Sequence, residues 1–166
     1  SIDTFRTTVA EQAVQQGAAI VNDISAGNMD NKMFDVLADL NVPYIMMHMQ
    51  GTPQTMQQNP SYQNVTHEVI KFFAEKLELL YKKGVNDVIL DPGFGFGKTL
   101  EHNFQLLHEL EHFNLFELPV LVGVSRKSMV TKALNIKTQE ALNGTTALNA
   151  FALTKGANIL RVHDVK

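Results

Sequence analysis

The segment from Asp91 to Thr99 carries the residue types that could bind a flat, polar ligand. Its sequence is Asp-Pro-Gly-Phe-Gly-Phe-Gly-Lys-Thr, and it directly follows a short apolar run. Glycines at every second position indicate a loop that a ligand or another backbone segment approaches closely. An acid beside two aromatic rings suits a hydrogen-bonding heterocycle better than a bare phosphate. We therefore predict a ligand-binding loop at the end of a strand.

The same segment resembles two phosphate-binding motifs and matches neither. A Walker A motif would require glycine five residues before Gly97, where the chain has Pro92. The dinucleotide fingerprint starting at Gly93 would require glycine where the chain has Lys98. A flexible connection with incidental glycines is the remaining alternative, although Asp-Pro directly after a strand adds a turn signal. Lys98 is left out of the predicted site.

Chemically capable side chains also occur at the carboxyl ends of the other predicted strands. They are Asp3, Asn22, His48, Asp91, Ser125, Arg161 and His163. A (β/α)8 barrel draws its active site from many strand ends, whereas an open doubly wound sheet concentrates such groups near one switch point. The distribution favours a barrel.

The elements that position these residues alternate between strand and helix. Strands are predicted at 1–4, 18–22, 44–49, 88–90, 120–124 and 159–162, and helices at 6–16, 30–40, 64–83, 100–113, 126–134 and 138–155. The strand runs are almost entirely apolar, which indicates burial on both faces of a parallel sheet. Both ends of the chain cut through such a pattern, so we expect one domain, 1–166, that is incomplete at both ends.

Composition excludes several classes of protein. With 14 Lys and Arg against 17 Asp and Glu among 166 residues, the chain has no general attraction to nucleic acid or to an anionic membrane. No apolar run approaches the length of a membrane span. The absence of cysteine excludes disulfides and thiolate metal sites and fits a reducing cytoplasm. No metal site is predicted within this sequence.

Five motifs together resemble dihydropteroate synthase, a family of pterin-binding TIM barrels. They lie at 20–25, 46–51, 91–99, 121–128 and 161–165, in the family's order, and span nearly the whole chain. By this resemblance the chain is a barrel fragment that runs from the end of strand 3 to just past strand 8.

The resemblance implies a transferase of folate biosynthesis. Such an enzyme condenses 6-hydroxymethyl-7,8-dihydropterin diphosphate with para-aminobenzoate to give dihydropteroate and diphosphate. It also implies Mg²⁺, whose family ligand lies outside this sequence, and it allows a homodimer. The fragment alone is expected to be inactive. Three alternatives stay open: a pterin-dependent methyltransferase of related fold, a non-catalytic pterin-binding paralogue, and an unrelated sugar-phosphate barrel.

The resemblance assigns roles to ten residues. The pterin-binding set is Asp3, Asn22, Met47, Asp91, Phe96, Gly123 and Lys127. The diphosphate-binding pair is Arg161 and His163, the para-aminobenzoate set is Phe96, Lys127 and Ser128, and the catalytic set is Asp3, Lys127 and Arg161.

Physical chemistry supports the roles assigned to the polar residues and leaves simpler structural roles open as alternatives. A carboxylate at Asp91 can accept two adjacent N–H groups of a pterin, and Asn22 offers both an acceptor and a donor. Arg161 can hold phosphate oxygens bidentately. Capping or turn formation would also explain Asp3, Asn22 and Asp91. A salt bridge to Asp164 is the alternative for Arg161.

A lysine at the start of a helix is locally unfavourable, because it adds to the positive end of the helix dipole. Lys127 stands at such a position, after Arg126, and an electron-rich ligand would explain it. The alternative is a pair of solvated surface cations. Methionines such as Met47 are, taken alone, more typical of a core.

Overall fold

The computed structural model describes residues 1–165 as parallel strands that alternate with helices. The six strands are β1 (Ile2–Asp3), β2 (Val21–Asp23), β3 (Tyr44–Met47), β4 (Val88–Asp91), β5 (Leu121–Val122) and β6 (Ile159–Leu160). The first four form one sheet in chain order, and β5 pairs with β6. A parallel bridge between Leu90 and Val120 joins the two sheets. Parallel strands in unbroken chain order are typical of a barrel, since a doubly wound sheet reverses its order.

Six α-helices follow or precede these strands. They are α1 (Thr7–Gln15), α2 (Met33–Leu40), α3 (Val65–Lys82), α4 (Leu100–His108), α5 (Ser128–Leu134) and α6 (Leu142–Thr154). Thr99, the last residue of the glycine-rich loop, caps α4: its hydroxyl accepts from the backbone of His102, whose ring accepts from the Thr99 N–H. The loop therefore ends at a helix N-terminus that is stabilised by a capping box.

The predicted helix at 100–113 was too long. α4 ends at His108, and a 3₁₀ segment follows at Leu110–Phe116. Three residues per turn keep Leu110, Phe113 and Phe116 on one face, and all three pack into the core. The helix predicted at 138–155 likewise divides into a 3₁₀ turn, Thr138–Glu140, and α6.

Apolar residues fill both faces of the sheet, as the strand sequences predicted. The outward face packs against the helices in a large core whose fully buried aromatic residues are Tyr44, Phe73, Phe94 and Phe113. The inward face carries a separate layer of Ile45, Ile89 and Leu121, with Ile20 and Ile159 packed against it. Within residues 1–165, no helix combines the length and the apolar character needed to cross a lipid bilayer.

Candidate functional site

Side chains that alternate along each strand place the candidate site directly above the inward apolar layer. Successive side chains of a strand point to opposite faces, so a residue two positions further along returns to the same face. The pairs are Ile20 and Asn22, Ile45 and Met47, Ile89 and Asp91, Leu121 and Gly123, and Ile159 and Arg161. Along each of these five strands, β2 to β6, an apolar residue of the inward layer is therefore followed by a residue of the site.

These residues line a cavity of about 210 Å³ at the carboxyl ends of the strands. Its lining is Asn22, Ile24, Met47, Asp91, Phe96, Gly123, Ser125, Lys127, Arg161, Val162 and His163. The predicted site residues are thus brought together, except for Asp3 and Ser128. Ser128 is exposed and lies on a neighbouring groove with Pro60, Lys98 and Lys132.

Asp91 is the buried acid of the cavity. Its Oδ1 accepts a hydrogen bond of 2.8 Å from the backbone N–H of Gly93. Burial raises the pKa of Asp91, and the positive charge of Lys127 is the main opposing influence. A buried carboxylate that faces a cation is well suited to accept N–H groups of a ligand.

Asn22 presents a buried acceptor that has no protein partner. Its Nδ2 donates to Oδ1 of Asp3 at 2.7 Å, while its own Oδ1 accepts no hydrogen bond within residues 1–165. A buried polar atom without a partner is costly unless a ligand or water satisfies it. Asp3 lies outside the cavity lining, but it also accepts a bond of 2.7 Å from Arg161, so it connects two lining residues.

Lys127 stands at the N-terminal end of α5 and points back into the site. Its Nζ donates to the carbonyl oxygen of Phe94 and lies 4.8 Å from the centre of the Phe96 ring. Burial lowers the pKa of Lys127, and the charge of Asp91 opposes this effect. The alternative of a solvated surface cation is therefore wrong for Lys127.

Arg126 and His163 make structural contacts at the edge of the cavity. The guanidinium of Arg126 forms a two-point ion pair with Asp164, at 2.9 and 2.7 Å. The alternative that Arg161 pairs with Asp164 is therefore wrong, because Arg161 pairs with Asp3. His163 is held by Ser125, whose hydroxyl lies 3.1 Å from its backbone nitrogen and 3.0 Å from its Nδ1.

The glycine-rich loop is held by side chains at every carbonyl from 93 to 97. Lys98 donates to the carbonyl oxygens of Gly93 and Phe96, Lys127 to that of Phe94, Gln57 to that of Gly95 and Tyr62 to that of Gly97. Because each donor is a side chain from outside residues 93–97, the shape of the loop is fixed by its surroundings.

Two of the loop glycines are required by a second backbone. Gly93 has φ +72°, and a Cβ there would overlap the carbonyl oxygen of His48. A Cβ on Gly97, at φ +63°, would lie 2.5 Å from the carbonyl oxygen of Gln50. The close approach inferred from the glycine spacing is therefore made by the chain that leaves β3.

Within residues 1–165, no three His, Cys, Asp or Glu side chains cluster in a way that could hold a metal ion. The acids at the site, Asp3 and Asp91, are instead engaged by Arg161, Asn22 and a backbone N–H. The residues present do not by themselves form a magnesium site.

Comparison with known proteins agrees with this geometry. Residues 1–163 match the model of the pterin binding enzyme family. This chain belongs to that family. Dihydropteroate synthase of Escherichia coli K12 is 43% identical over 168 residues, covering 100% of this chain and 59% of the relative. The bifunctional dihydropteroate synthase/dihydropteroate reductase of Helicobacter pylori is 44% identical, covering 99% and 43%.

Solved structures of pterin binding enzymes share the fold. A Yersinia pestis dihydropteroate synthase in a sulfonamide drug complex matches with a TM-score of 0.95 and 42% identity, covering 99% of this chain and 60% of that one. A Xanthomonas albilineans dihydropteroate synthase in complex with 7,8-dihydropteroate matches with a TM-score of 0.90 and 36% identity, covering 98% and 60%. The prediction of a (β/α)8 barrel fold is confirmed, and the chain spans about 60% of the length of these two structures.

Sequence reasoning left Lys98 out of the predicted site, and the structure places it against the glycine-rich loop, where it donates to the carbonyl oxygens of Gly93 and Phe96. The lysine is 3% exposed, and it was set aside because phosphate was expected at Arg161 and His163 and not at this loop. Its position between a glycine-rich turn and a helix cap gave no signal, because one of its acceptors, His48, belongs to the distant segment after β3. Ile24 and Val162 of the cavity lining were also missed, although each lies within one of the five motifs.

Proposed function

We propose that this chain forms the pterin- and diphosphate-binding part of a dihydropteroate synthase. The enzyme would join 6-hydroxymethyl-7,8-dihydropterin diphosphate to para-aminobenzoate with release of diphosphate. One observation carries the proposal: Asp91 and the unpartnered Oδ1 of Asn22 share a cavity with apolar Met47 and Phe96 and with the cation Lys127.

The pterin end of the substrate matches the buried side of the cavity. Asp91 would accept from the amino group and the adjacent ring N–H, and Asn22 Oδ1 would accept from a further N–H. The rings would lie between Met47 and Phe96, since thioether and aromatic groups both pack well against flat heterocycles. Gly123 leaves space at this point because it has no side chain.

The diphosphate end matches the rim. Arg161 and His163 both line the cavity, and the guanidinium can bind phosphate oxygens at two points. Positive groups placed where negative charge develops stabilise a departing anion. Arg161 is 61% exposed and bound to Asp3, so phosphate oxygens can compete for it without the cost of desolvating a buried pair.

The reaction is a substitution at the methylene carbon of the pterin. The amine nitrogen of para-aminobenzoate forms the new C–N bond, the C–O bond to diphosphate breaks with its electron pair, and the amine loses a proton. Holding the two substrates in line supplies much of the acceleration. Asp3 and Asp91 would favour positive charge that develops on the pterin. The groove beside Ser128 is on the side from which para-aminobenzoate would enter.

Magnesium, a cytoplasmic location and a homodimer are further expectations. A magnesium ion at the diphosphate would require ligands beyond those described in this chain, so no step is assigned to it. The cysteine-free composition supports a reducing compartment. Exposed Leu134, Leu142 and Phe151 on neighbouring helices support self-association, which sedimentation of the purified protein would test.

The deciding experiment supplies the natural protein that carries this chain with both substrates and measures diphosphate and dihydropteroate. Stoichiometric formation of both products supports the proposal. Methyl transfer from methyl-tetrahydrofolate to a corrinoid, without diphosphate release, would favour the methyltransferase. Binding of 6-hydroxymethylpterin without turnover would favour a non-catalytic paralogue.

A further inference from the structure

Lys98 is a buried cation that the proposed reaction does not use. Its side chain is 3% exposed. Its Nζ lies 2.9 Å from the carbonyl oxygen of Gly93, 3.1 Å from that of Phe96 and 3.0 Å from Nδ1 of His48. An ammonium has three N–H donors, so these three nearest acceptors match its capacity, and the carbonyl oxygen of His48 lies further away at 3.5 Å. His48 Nδ1 must accept while Lys98 is charged, which places the imidazole proton on Nε2.

The three acceptors join two parts of the protein. Gly93 and Phe96 are the ends of one turn of the loop, since the Phe96 N–H also donates to the Gly93 carbonyl at 3.1 Å. His48 belongs to the segment that follows β3. Lys98 therefore closes the turn and fastens it to the neighbouring strand end.

The turn that Lys98 closes positions three groups of the cavity. The Gly93 N–H orients the Asp91 carboxylate, the Phe96 ring forms a wall, and the Phe94 carbonyl receives the Lys127 ammonium. A change in the turn would move all three together, whereas Arg161 and His163 lie beyond β5 and do not depend on it.

A contribution to stability alone does not explain why a lysine is buried at this position. A charged group buried beside neutral acceptors carries a desolvation cost, and an apolar side chain often serves stability as well or better. That cost is visible in the pKa of Lys98, which burial lowers to about 7. The hydrogen bonds hold a particular loop shape at a cost to the folded state.

We propose that Lys98 is a positioning residue for the pterin: its ammonium, held between the Gly93 and Phe96 carbonyls and His48, sets the loop geometry that Asp91, Phe96 and Lys127 need. The inference rests on the proposed function, because it takes the pterin as the ligand. It assigns Lys98 no contact with substrate.

The test compares two ligands on the same variants of the protein that carries this chain. Lys98→Met should raise the Kd for 6-hydroxymethylpterin by about tenfold or more, as expected for loss of hydrogen bonds that orient a charged recognition group. The Kd for inorganic pyrophosphate should change less than about twofold, because Arg161 and His163 are unaffected. Lys71→Met, which removes an exposed lysine of α3, is the matched control and should change neither.

The outcomes separate the inference from the proposed function. Pterin binding by wild type that is unchanged in Lys98→Met would overturn the positioning role and leave the proposed function intact. Wild type that binds no pterin would overturn both. Lys98→Gln keeps N–H donors and should fall between wild type and Lys98→Met. Failure of both variants to fold would assign Lys98 to stability and overturn the inference.

Discussion

Arg161, which directly follows the last strand, forms an ion pair with Asp3 of the first strand, with Nη2 of Arg161 2.7 Å from Oδ2 of Asp3. The other oxygen of Asp3 accepts from Asn22 at 2.7 Å. One carboxylate thus joins the proposed diphosphate site to the proposed pterin site. The side chains are 61% and 53% exposed, so the pair contributes little to folding and can open when a ligand competes for either partner.

Neutralising Asp3 should strengthen anion binding at Arg161. In Asp3→Asn the guanidinium no longer has a competing carboxylate, and we expect the affinity for inorganic pyrophosphate to rise about two- to fivefold, as suits an exposed pair. Isothermal titration calorimetry measures the change. Asp35→Asn removes the same charge from a distant surface pair with Lys83 and serves as the control. A weaker affinity in Asp3→Asn would contradict competition at Arg161.

Neutralising Asp91 should weaken pterin binding selectively. The amide of Asp91→Asn keeps the shape of the side chain but loses the charged acceptor, so the Kd for 6-hydroxymethylpterin should rise by about 10- to 100-fold. Fluorescence titration measures it. Asp87→Asn, at an exposed position just before the same strand, should bind the pterin as wild type does. Equal affinity in all three proteins would remove Asp91 from the pterin site.

A side chain at Gly93 should destabilise the protein more than one at another left-handed glycine. Gly84 has φ +83° and open space around a Cβ, so Gly84→Ala should cost about 1 kcal/mol of backbone strain. Gly93→Ala adds an overlap with the His48 carbonyl and should cost about 3 kcal/mol or more. Urea denaturation compares the two. Similar costs would show that the backbones do not approach closely.

Acid should weaken the fold through His48. Burial lowers the pKa of His48 to about 2, and the charge of Lys98 acts in the same direction. In the unfolded chain the imidazole titrates near its ordinary pKa of about 6.5, so the unfolded state binds a proton that the folded state excludes. The contribution of neutral His48 to the free energy of unfolding is complete above about pH 6.5. Below that pH it falls by up to about 1.4 kcal/mol per pH unit.

The measurement for His48 is the free energy of unfolding from about pH 7 to about pH 5, by urea denaturation. His48→Gln should reduce the slope over this range, whereas His112→Gln, at an exposed position, should leave it unchanged. A slope that is the same in wild type and His48→Gln would show that this histidine is not the group excluded from protonation.

Much of the fold and of the cavity lining could be predicted because both follow from local pattern. Apolar runs predict the strands of a parallel barrel, and the polar residues at the carboxyl ends of those strands then share one rim. Asp91 and Arg161 were placed on that rim for this reason, and they line the same cavity although they lie 70 positions apart in the sequence.

The remaining features depend on distant partners that no local pattern specifies. Arg126 has φ +54° and pairs with Asp164, 38 residues away, so the helix predicted to start there begins instead at Ser128. Lys98 is buried partly against His48, which lies 50 residues away in the segment after β3. Ser128 follows Lys127 directly, but the turn into α5 directs it to the neighbouring groove.

The glycine-rich loop is not a portable module. Each carbonyl oxygen from Gly93 to Gly97 accepts a hydrogen bond from a side chain. Three of the donors, Gln57, Tyr62 and Lys127, belong to three other parts of the chain. A graft of residues 91–99 into another barrel would carry the motif and Lys98, but it would lack the other donors that shape the loop. An engineer who wishes to transfer the recognition would have to move the surrounding side chains as well.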